Sequence, residues 1–186
     1  MNILGISGSL RKDSLNTLLL HVAAGMVSDA GAKLTVFDLS KILFYNADQD
    51  GENKPGPVKD FISAIGQADG LLFVTPEYNY SIPGVLKNAI DWASRPGYQS
   101  ILKNKPAGML TASTSPVGGA RAQIHLRDIL AATLTPVYQA PDCLLPQAQH
   151  AFNEDGSLKD DQVKERLKRY VNGFIDWLGT MKNENA

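Results

Sequence analysis

The sequence predicts an α/β fold in which a five-stranded parallel sheet is covered by helices on both faces. Strand-length apolar segments alternate with amphipathic helical patterns along the whole chain. The strand segments are near-continuous apolar runs, as expected when both faces of a parallel sheet are buried. The 186 residues fit one domain with one substantial core, so we expect residues 1–186 to form a single domain.

Five segments have the composition of buried strands. They are Asn2–Ser7, Lys33–Leu39, Gly70–Thr75, Pro106–Ala112 and Leu134–Gln139. The last segment contains Pro136, which cannot donate a hydrogen bond to a sheet. We therefore expect it to be an edge strand or a bulged one.

Apolar residues at helical spacing predict a helix after each strand. Helices are expected around residues 15–27, 58–65, 83–93, 118–130 and 163–178, and loops at 46–57 and 141–156. Pro83 fits the first turn of the third helix, where its missing N–H costs nothing. Trp92 lies about 100° from the centre of that helix's apolar stripe. We expect a symmetric contact with a second copy of the chain to cover its ring.

The alternation of elements favours the flavodoxin-like strand order 2-1-3-4-5. In such sheets ligands bind outside the carboxyl ends of the strands, near the switch point between strands 1 and 3. Three loops lie at that edge: Gly8–Asn16, Pro76–Ser81 and Ser113–Gly119. We expect the functional site to be built from them.

The first loop, GSLRKDSLN, offers groups that bind phosphate. It leads into a helix N-terminus, where free N–H groups and the helix dipole favour an anion, and its arginine can make two hydrogen bonds to phosphate. The candidate ligands are Ser9, Arg11, Ser14, Leu15 and Asn16. From local chemistry alone, a polar turn capped by Ser14 with a solvated Arg11 fits equally well. The loop has neither the P-loop nor the dinucleotide-binding pattern.

The second loop, PEYNYSIPG, has the composition of a stiff rim for a flat polycyclic ligand. Its two prolines restrict the backbone, Tyr78 can supply an apolar face, and the backbone of Glu77 and Asn79 can meet polar ring edges. The candidate residues are Pro76, Glu77, Tyr78 and Asn79. A surface loop fixed by burial of its tyrosines is the alternative.

The third loop, STSPVGGAR, follows the fourth strand. Gly118 and Gly119 permit a close approach of the backbone to a ligand, and the Ser113 hydroxyl can face the site. A glycine-assisted helix start is the alternative explanation.

Composition narrows the classes of function. The chain carries 18 basic and 19 acidic residues, a net charge of −1, which argues against a nucleic-acid partner. No apolar run approaches bilayer-spanning length, and no secretory signal is visible, so we expect a cytoplasmic protein without membrane insertion. His21, His125, His150 and the single cysteine, Cys143, have no metal-ligand spacing, so we expect no metal and an incidental thiol.

The two motifs GSLRKDSLN and TPEYNYSIPGVLKNAIDWASR together resemble the NADPH-dependent FMN reductase family, and its bacterial quinone and chromate reductases in particular. The resemblance extends over nearly the whole chain. It implies that Ser9, Arg11, Ser14 and Asn16 hold the FMN phosphate. It also implies that Pro76–Asn79 border the isoalloxazine ring, that Ser113 adds a contact, and that the protein is a homodimer or homotetramer.

By this resemblance the protein is an NAD(P)H-dependent reductase that passes two electrons through FMN to quinones, with chromate as a further acceptor. Since one face of the flavin should lie against the protein, NAD(P)H and the acceptor should use the open face in turn, which predicts a ping-pong cycle. The resemblance favours NADPH over NADH. We expect no catalytic side chain, because the flavin carries the chemistry. The alternatives are an FMN reductase that supplies reduced flavin to a partner, a single-electron carrier and a regulatory nucleotide-binding module. The small net charge disfavours the carrier.

Overall fold

The sheet has five parallel strands in the predicted order. The structure, a computed structural model, describes residues 1–184 of the chain. The strands are β1 (Asn2–Ser7), β2 (Lys33–Phe37), β3 (Gly70–Thr75), β4 (Ala107–Ala112) and β5 (Cys143–Leu145). Their order is β2-β1-β3-β4-β5 and every pairing is parallel. The predicted fold class is therefore confirmed.

Five α-helices connect and follow the strands, close to the predicted positions. They are α1 (Leu15–Asp29), α2 (Gly56–Gln67), α3 (Gly84–Ala93), α4 (Ala120–Ala132) and α5 (Asp161–Glu184). Single 3₁₀ turns lie at Leu39–Lys41, Ala47–Gln49, Gly51–Asn53 and Ala148–His150. Pro83 is the N-cap of α3 rather than its first helical residue.

The predicted fifth strand, Leu134–Gln139, was wrong. This segment makes one isolated bridge, between Val137 and Ala107, and the strand itself lies at Cys143–Leu145, inside the predicted loop 141–156. Leu134 has a left-handed backbone, with φ of 58°, and Pro136 has no N–H to donate. Both features interrupt an extended ladder at the place where the apolar pattern predicted one.

Two separate apolar layers cover the sheet. On one face α1 and α5 pack through residues such as Leu20 and Phe174, and on the other α2, α3 and α4 pack through residues such as Phe61 and Leu86. The carboxyl edge, where the predicted site lies, receives loops that lead into both layers.

The prediction that a second copy of the chain covers the ring of Trp92 was also wrong. Its side chain is fully buried within one chain, and its indole N–H donates to the backbone carbonyl of Leu43 at 2.7 Å. The Tyr45 ring packs edge-on against the same indole, with 4.8 Å between the ring centroids. The segment after β2 folds over this side of α3, a long-range contact that helical periodicity alone could not reveal.

Candidate functional site

A cleft of about 240 Å³ lies at the carboxyl edge of the sheet, between the loops that follow β1, β3 and β4. Nine of the ten residues predicted from the sequence line it, and Asn79 does not. The lining residues are Ser9, Arg11, Ser14, Leu15, Asn16, Pro76, Glu77, Tyr78, Ala112, Ser113 and Thr114. Ala112 and Thr114 were not predicted, although their position beside Ser113 at the end of β4 could have indicated them.

The first loop brings three kinds of donor to the cleft. The Ser14 Oγ caps α1 by accepting from the amides of Asn16 at 3.2 Å and Thr17 at 3.3 Å, so its own hydrogen remains able to donate to an anion. Within residues 1–184, the Leu15 amide has no backbone or side-chain acceptor, as expected at a helix N-terminus. The exposed Arg11 adds a guanidinium. These groups can bind a phosphate together.

Asn16 is held by the neighbouring strand. Its side-chain amide donates to the carbonyl of Ala112 at 2.9 Å and accepts from the Ala112 amide at 2.8 Å. The side chain is buried, with 4% exposed. Asn16 therefore joins the first loop to the end of β4, and its expected contact with a phosphate stays a prediction.

Gly8 lets the first loop cross the end of β3 at close range. Its amide donates to the carbonyl of Val74 at 2.9 Å. A Cβ added at Gly8 would lie 2.2 Å from the Thr75 Oγ1 and 3.2 Å from the Thr75 Cα. Because backbone cannot move aside as a flexible side chain can, this close crossing requires glycine at position 8.

The second loop turns back in a two-residue hairpin. Tyr78 and Ser81 exchange backbone hydrogen bonds at 2.9 and 3.0 Å. The two residues between them, Asn79 and Tyr80, have φ of 48° and 68°, the left-handed backbone of such turns. Asparagine adopts it readily, whereas tyrosine does so at a cost. The turn leaves Tyr78 52% exposed at the rim of the cleft.

Glu77 is engaged by Arg121, a residue that sequence reasoning did not single out. The Glu77 carboxylate accepts from the Arg121 amide and from its guanidinium, each at 3.1 Å. The guanidinium carbon also lies 4.1 Å from the centre of the Tyr80 ring. Since the Glu77 side chain is already paired, its backbone remains the part that can meet a ligand. Arg121 ends the third loop motif STSPVGGAR, but nothing in that motif indicated a partner 44 residues away.

The third loop is fixed on both sides of Ser113. The Ser113 amide donates to Leu145 and its carbonyl accepts from Ala148, both at 3.0 Å. Its hydroxyl oxygen accepts from the Ser115 amide at 3.1 Å. The turn after β5 thus supports the cleft, which gives part of the predicted loop 141–156 a structural role.

The remaining candidate groups lie apart from this site. Cys143 is buried in β5, and burial raises the pKa of its thiol to about 11, so it stays protonated at neutral pH. His21, His125 and His150 are exposed. Within residues 1–184 no group of three or more potential ligand side chains could hold a metal ion. Nor does this part of the chain contain a helix long and apolar enough to span a bilayer.

Comparison with known proteins identifies the family. The sequence matches the NADPH-dependent FMN reductase family over residues 1–150. The chain belongs to this family. It is 42% identical to an NAD(P)H-dependent FMN reductase of Pseudomonas aeruginosa over 182 residues, which cover 98% of this chain and 97% of the relative. It is 37% identical to a quinone reductase of Escherichia coli over 184 residues, 98% and 97% of the two chains.

The fold agrees with a solved structure of this kind. The flavoenzyme FerB of Paracoccus denitrificans, an NAD(P)H:(acceptor) oxidoreductase, superimposes with a TM-score of 0.89 at 33% identity, over 97% of this chain and 98% of FerB. Membership of the family confirms the predicted class, an oxidoreductase that uses FMN with NAD(P)H.

The donors in the cleft fit FMN. A terminal phosphate suits the Ser14 hydroxyl, the Leu15 amide and the Arg11 guanidinium. A flat ring with polar edges suits the Pro76–Tyr78 segment, where a half-exposed aromatic side chain lies beside backbone groups. The family's cofactor and the residues of this chain therefore agree.

Proposed function

We propose that this protein reduces quinones by two electrons at the expense of NAD(P)H, in a ping-pong cycle at the cleft described above. The observation that carries the proposal is that three loops bring phosphate donors and an aromatic rim around the same volume of about 240 Å³. Relatives that are named quinone reductases, from Escherichia coli and Pseudomonas putida, support the class of acceptor.

In this proposal the residues of the chain bind and orient the reactants. FMN supplies the two-electron chemistry when bound. Ser14, Leu15 and Arg11 hold its phosphate, and Pro76–Tyr78 and Ser113 form the walls beside its ring. The carboxylate of Glu77, which belongs to the lining of the cleft, is paired with the guanidinium of Arg121. Positioning is therefore the protein's contribution to the reaction.

An absorption spectrum followed by anaerobic reduction tests this function. Purified protein should retain a yellow flavin, lose its visible absorption when NADPH is added, and recover it when a quinone replaces NADPH. Loss of FMN during purification with full activity on free FMN would instead indicate a reductase that supplies reduced flavin to a partner. Lack of reduction by either NADPH or NADH would indicate an electron carrier. Chromate, supplied in place of the quinone, tests the further acceptor.

We also propose that the protein is a homodimer or homotetramer. Phe44 is 84% exposed, yet its neighbours are fixed: Leu43 accepts hydrogen bonds from Asn88 and Trp92, and the Tyr45 amide donates to Asn88. A rigidly presented phenyl ring suits an isologous contact. Light scattering should give a multiple of the monomer mass, and Phe44→Ser should lower it. A monomer at micromolar concentration would contradict this proposal.

We place the protein in the cytoplasm. The proposal is supported by the use of NAD(P)H in its family and by a single buried cysteine that has no second cysteine to pair with. Cell fractionation with an antibody against the native protein tests it.

A further inference from the structure

Arg121 makes three contacts with one short segment of the second loop. Its backbone amide and its guanidinium donate to the two carboxylate oxygens of Glu77, at 3.1 Å each. Its guanidinium also stacks on the ring of Tyr80, with 4.1 Å between the guanidinium carbon and the ring centre. Arg121 belongs to α4, so these contacts connect the loop after β3 to the helix after β4.

The Glu77 carboxylate replaces a missing helix cap. The N-cap of α4 is Gly119, which has a left-handed backbone and no side chain to accept from the first amides of the helix. Glu77 supplies an acceptor from outside the helix, at the end where the helix dipole favours a negative charge. Its side chain is 13% exposed, so this interaction is partly shielded from solvent.

The Tyr80 contact stabilises an unfavourable backbone. A φ of 68° is energetically unfavourable for tyrosine, whereas glycine adopts it freely at this position of the turn. The ring remains 64% exposed, so burial does little to offset that cost. Stacking on the guanidinium offsets it instead.

We propose that Arg121 is a positioning residue for the cleft, which fixes the Glu77–Ser81 turn against α4 and thereby the rim that borders the flavin ring. Arg121 does not line the cleft itself, so it acts through Glu77 and Tyr80. The inference rests on the proposed function in so far as the cleft holds FMN. A second arginine of α4, Arg127, provides a matched control: it pairs with Asp142 at 2.8 Å, and neither residue lines the cleft.

Amide hydrogen exchange in the FMN-free protein tests, without any ligand, whether Arg121 fixes the Glu77–Ser81 turn. The amides of Tyr78 and Ser81 are bonded to each other's carbonyls across the turn, so their exchange reports its opening. Arg121→Ala should speed their exchange about ten-fold or more, since it removes the guanidinium and leaves the backbone amide. Arg127→Ala should not change it. Unchanged exchange in Arg121→Ala would overturn the proposal. If that variant does not fold, Arg121→Lys, which keeps the charge but not the planar fork, takes its place with the same criterion.

Ligand affinity distinguishes positioning from a role in stability alone. Arg121→Ala should weaken FMN and riboflavin by the same factor, on the order of ten-fold, because the loosened rim borders the ring and not the phosphate. It should raise the KM for NADPH more than it lowers kcat. Adding Tyr80→Gly should recover part of the affinity, because glycine adopts the left-handed backbone freely. Equal losses of Tm in Arg121→Ala and Arg127→Ala with unchanged affinities would overturn the proposal. Failure of the wild type to bind FMN would refute the proposed function. The exchange result would still show whether Arg121 fixes the Glu77–Ser81 turn.

Discussion

The side-chain amide of Asn16 makes two hydrogen bonds to the backbone of Ala112, a residue 96 positions further along the chain. The pair imitates the pattern of a sheet ladder, with one donor and one acceptor on each side. It fastens the N-terminal end of α1, where we propose that the phosphate binds, to the last residue of β4. We therefore expect the affinity for FMN to depend on Asn16, because its side chain fixes the start of α1 against the end of β4.

Replacing Asn16 should destabilise the protein. Asn16→Ala leaves a buried N–H and a buried carbonyl of Ala112 without partners, and should lower the free energy of unfolding by about 2–4 kcal/mol. Asn16→Asp should also destabilise, because a carboxylate cannot donate to the Ala112 carbonyl. Urea unfolding of the FMN-free protein measures both, with the exposed Asn172→Ala as control. An effect no larger than that of the control would show that the pair contributes little.

Arg11 should discriminate between FMN and riboflavin. Arg11→Ala should weaken FMN by about 1.5–3 kcal/mol, the scale of a charge-assisted hydrogen bond, and leave riboflavin unchanged because riboflavin lacks the phosphate. Fluorescence titration of the apoprotein measures both affinities. Lys12→Ala, a neighbouring exposed cation outside the cleft lining, should change neither by much. Unchanged FMN affinity in Arg11→Ala would remove Arg11 from the site.

The steady-state kinetics should be ping-pong. We expect one face of bound FMN to lie against the second and third loops, which contribute to the lining of the cleft, so NAD(P)H and the acceptor should use the open face in turn. Hydride transfer requires reacting atoms about 3–3.5 Å apart, which two substrates cannot satisfy together at one face. Double-reciprocal plots should be parallel, and high acceptor concentrations should compete with NAD(P)H. Intersecting lines with a ternary complex would mean two separate sites.

Asp69 should make stability depend on pH in the acidic range. Its carboxylate accepts from the amide of Asn2 at 2.7 Å and from Lys182 at 3.0 Å, and the Asn2 hydrogen bond is the main cause that lowers its pKa. A lowered pKa in the folded state adds stability above the unfolded value of about 3.9, and that stability is lost as the pH falls through the folded value.

Asp69→Asn should therefore cost about 1 kcal/mol at pH 7, and the difference from wild type should shrink below about pH 4. Thermal unfolding across this range measures it. The control is Asp60→Asn, at an exposed carboxylate of α2. A difference that is constant with pH would mean that the charge of Asp69 does not contribute.

The sequence was sufficient for four of the five strands, for their order and for most of the cleft, because these depend on local patterns. Apolar runs locate the first four strands, and parallel strands must end at one edge, which brings together residues as distant as Ser14 and Ser113. Contacts that depend on exact side-chain placement were not predictable. The pairing of Glu77 with Arg121 and the cover over Trp92 each join segments more than 40 residues apart without a distinguishing motif. The position of the fifth strand was predicted wrongly because the three residues of the actual strand, Cys143–Leu145, are too few to show a pattern.

The two apolar layers of the fold have a consequence for the cofactor. The loop that leads into α1 belongs to one layer, and the loops that lead into α3 and α4 belong to the other. A ligand that contacts all three loops would therefore connect two halves that are otherwise joined through the sheet. Its binding free energy then adds to the cohesion of the whole molecule rather than to that of one loop. A variant that binds the cofactor less tightly should therefore also unfold more easily when the cofactor is present.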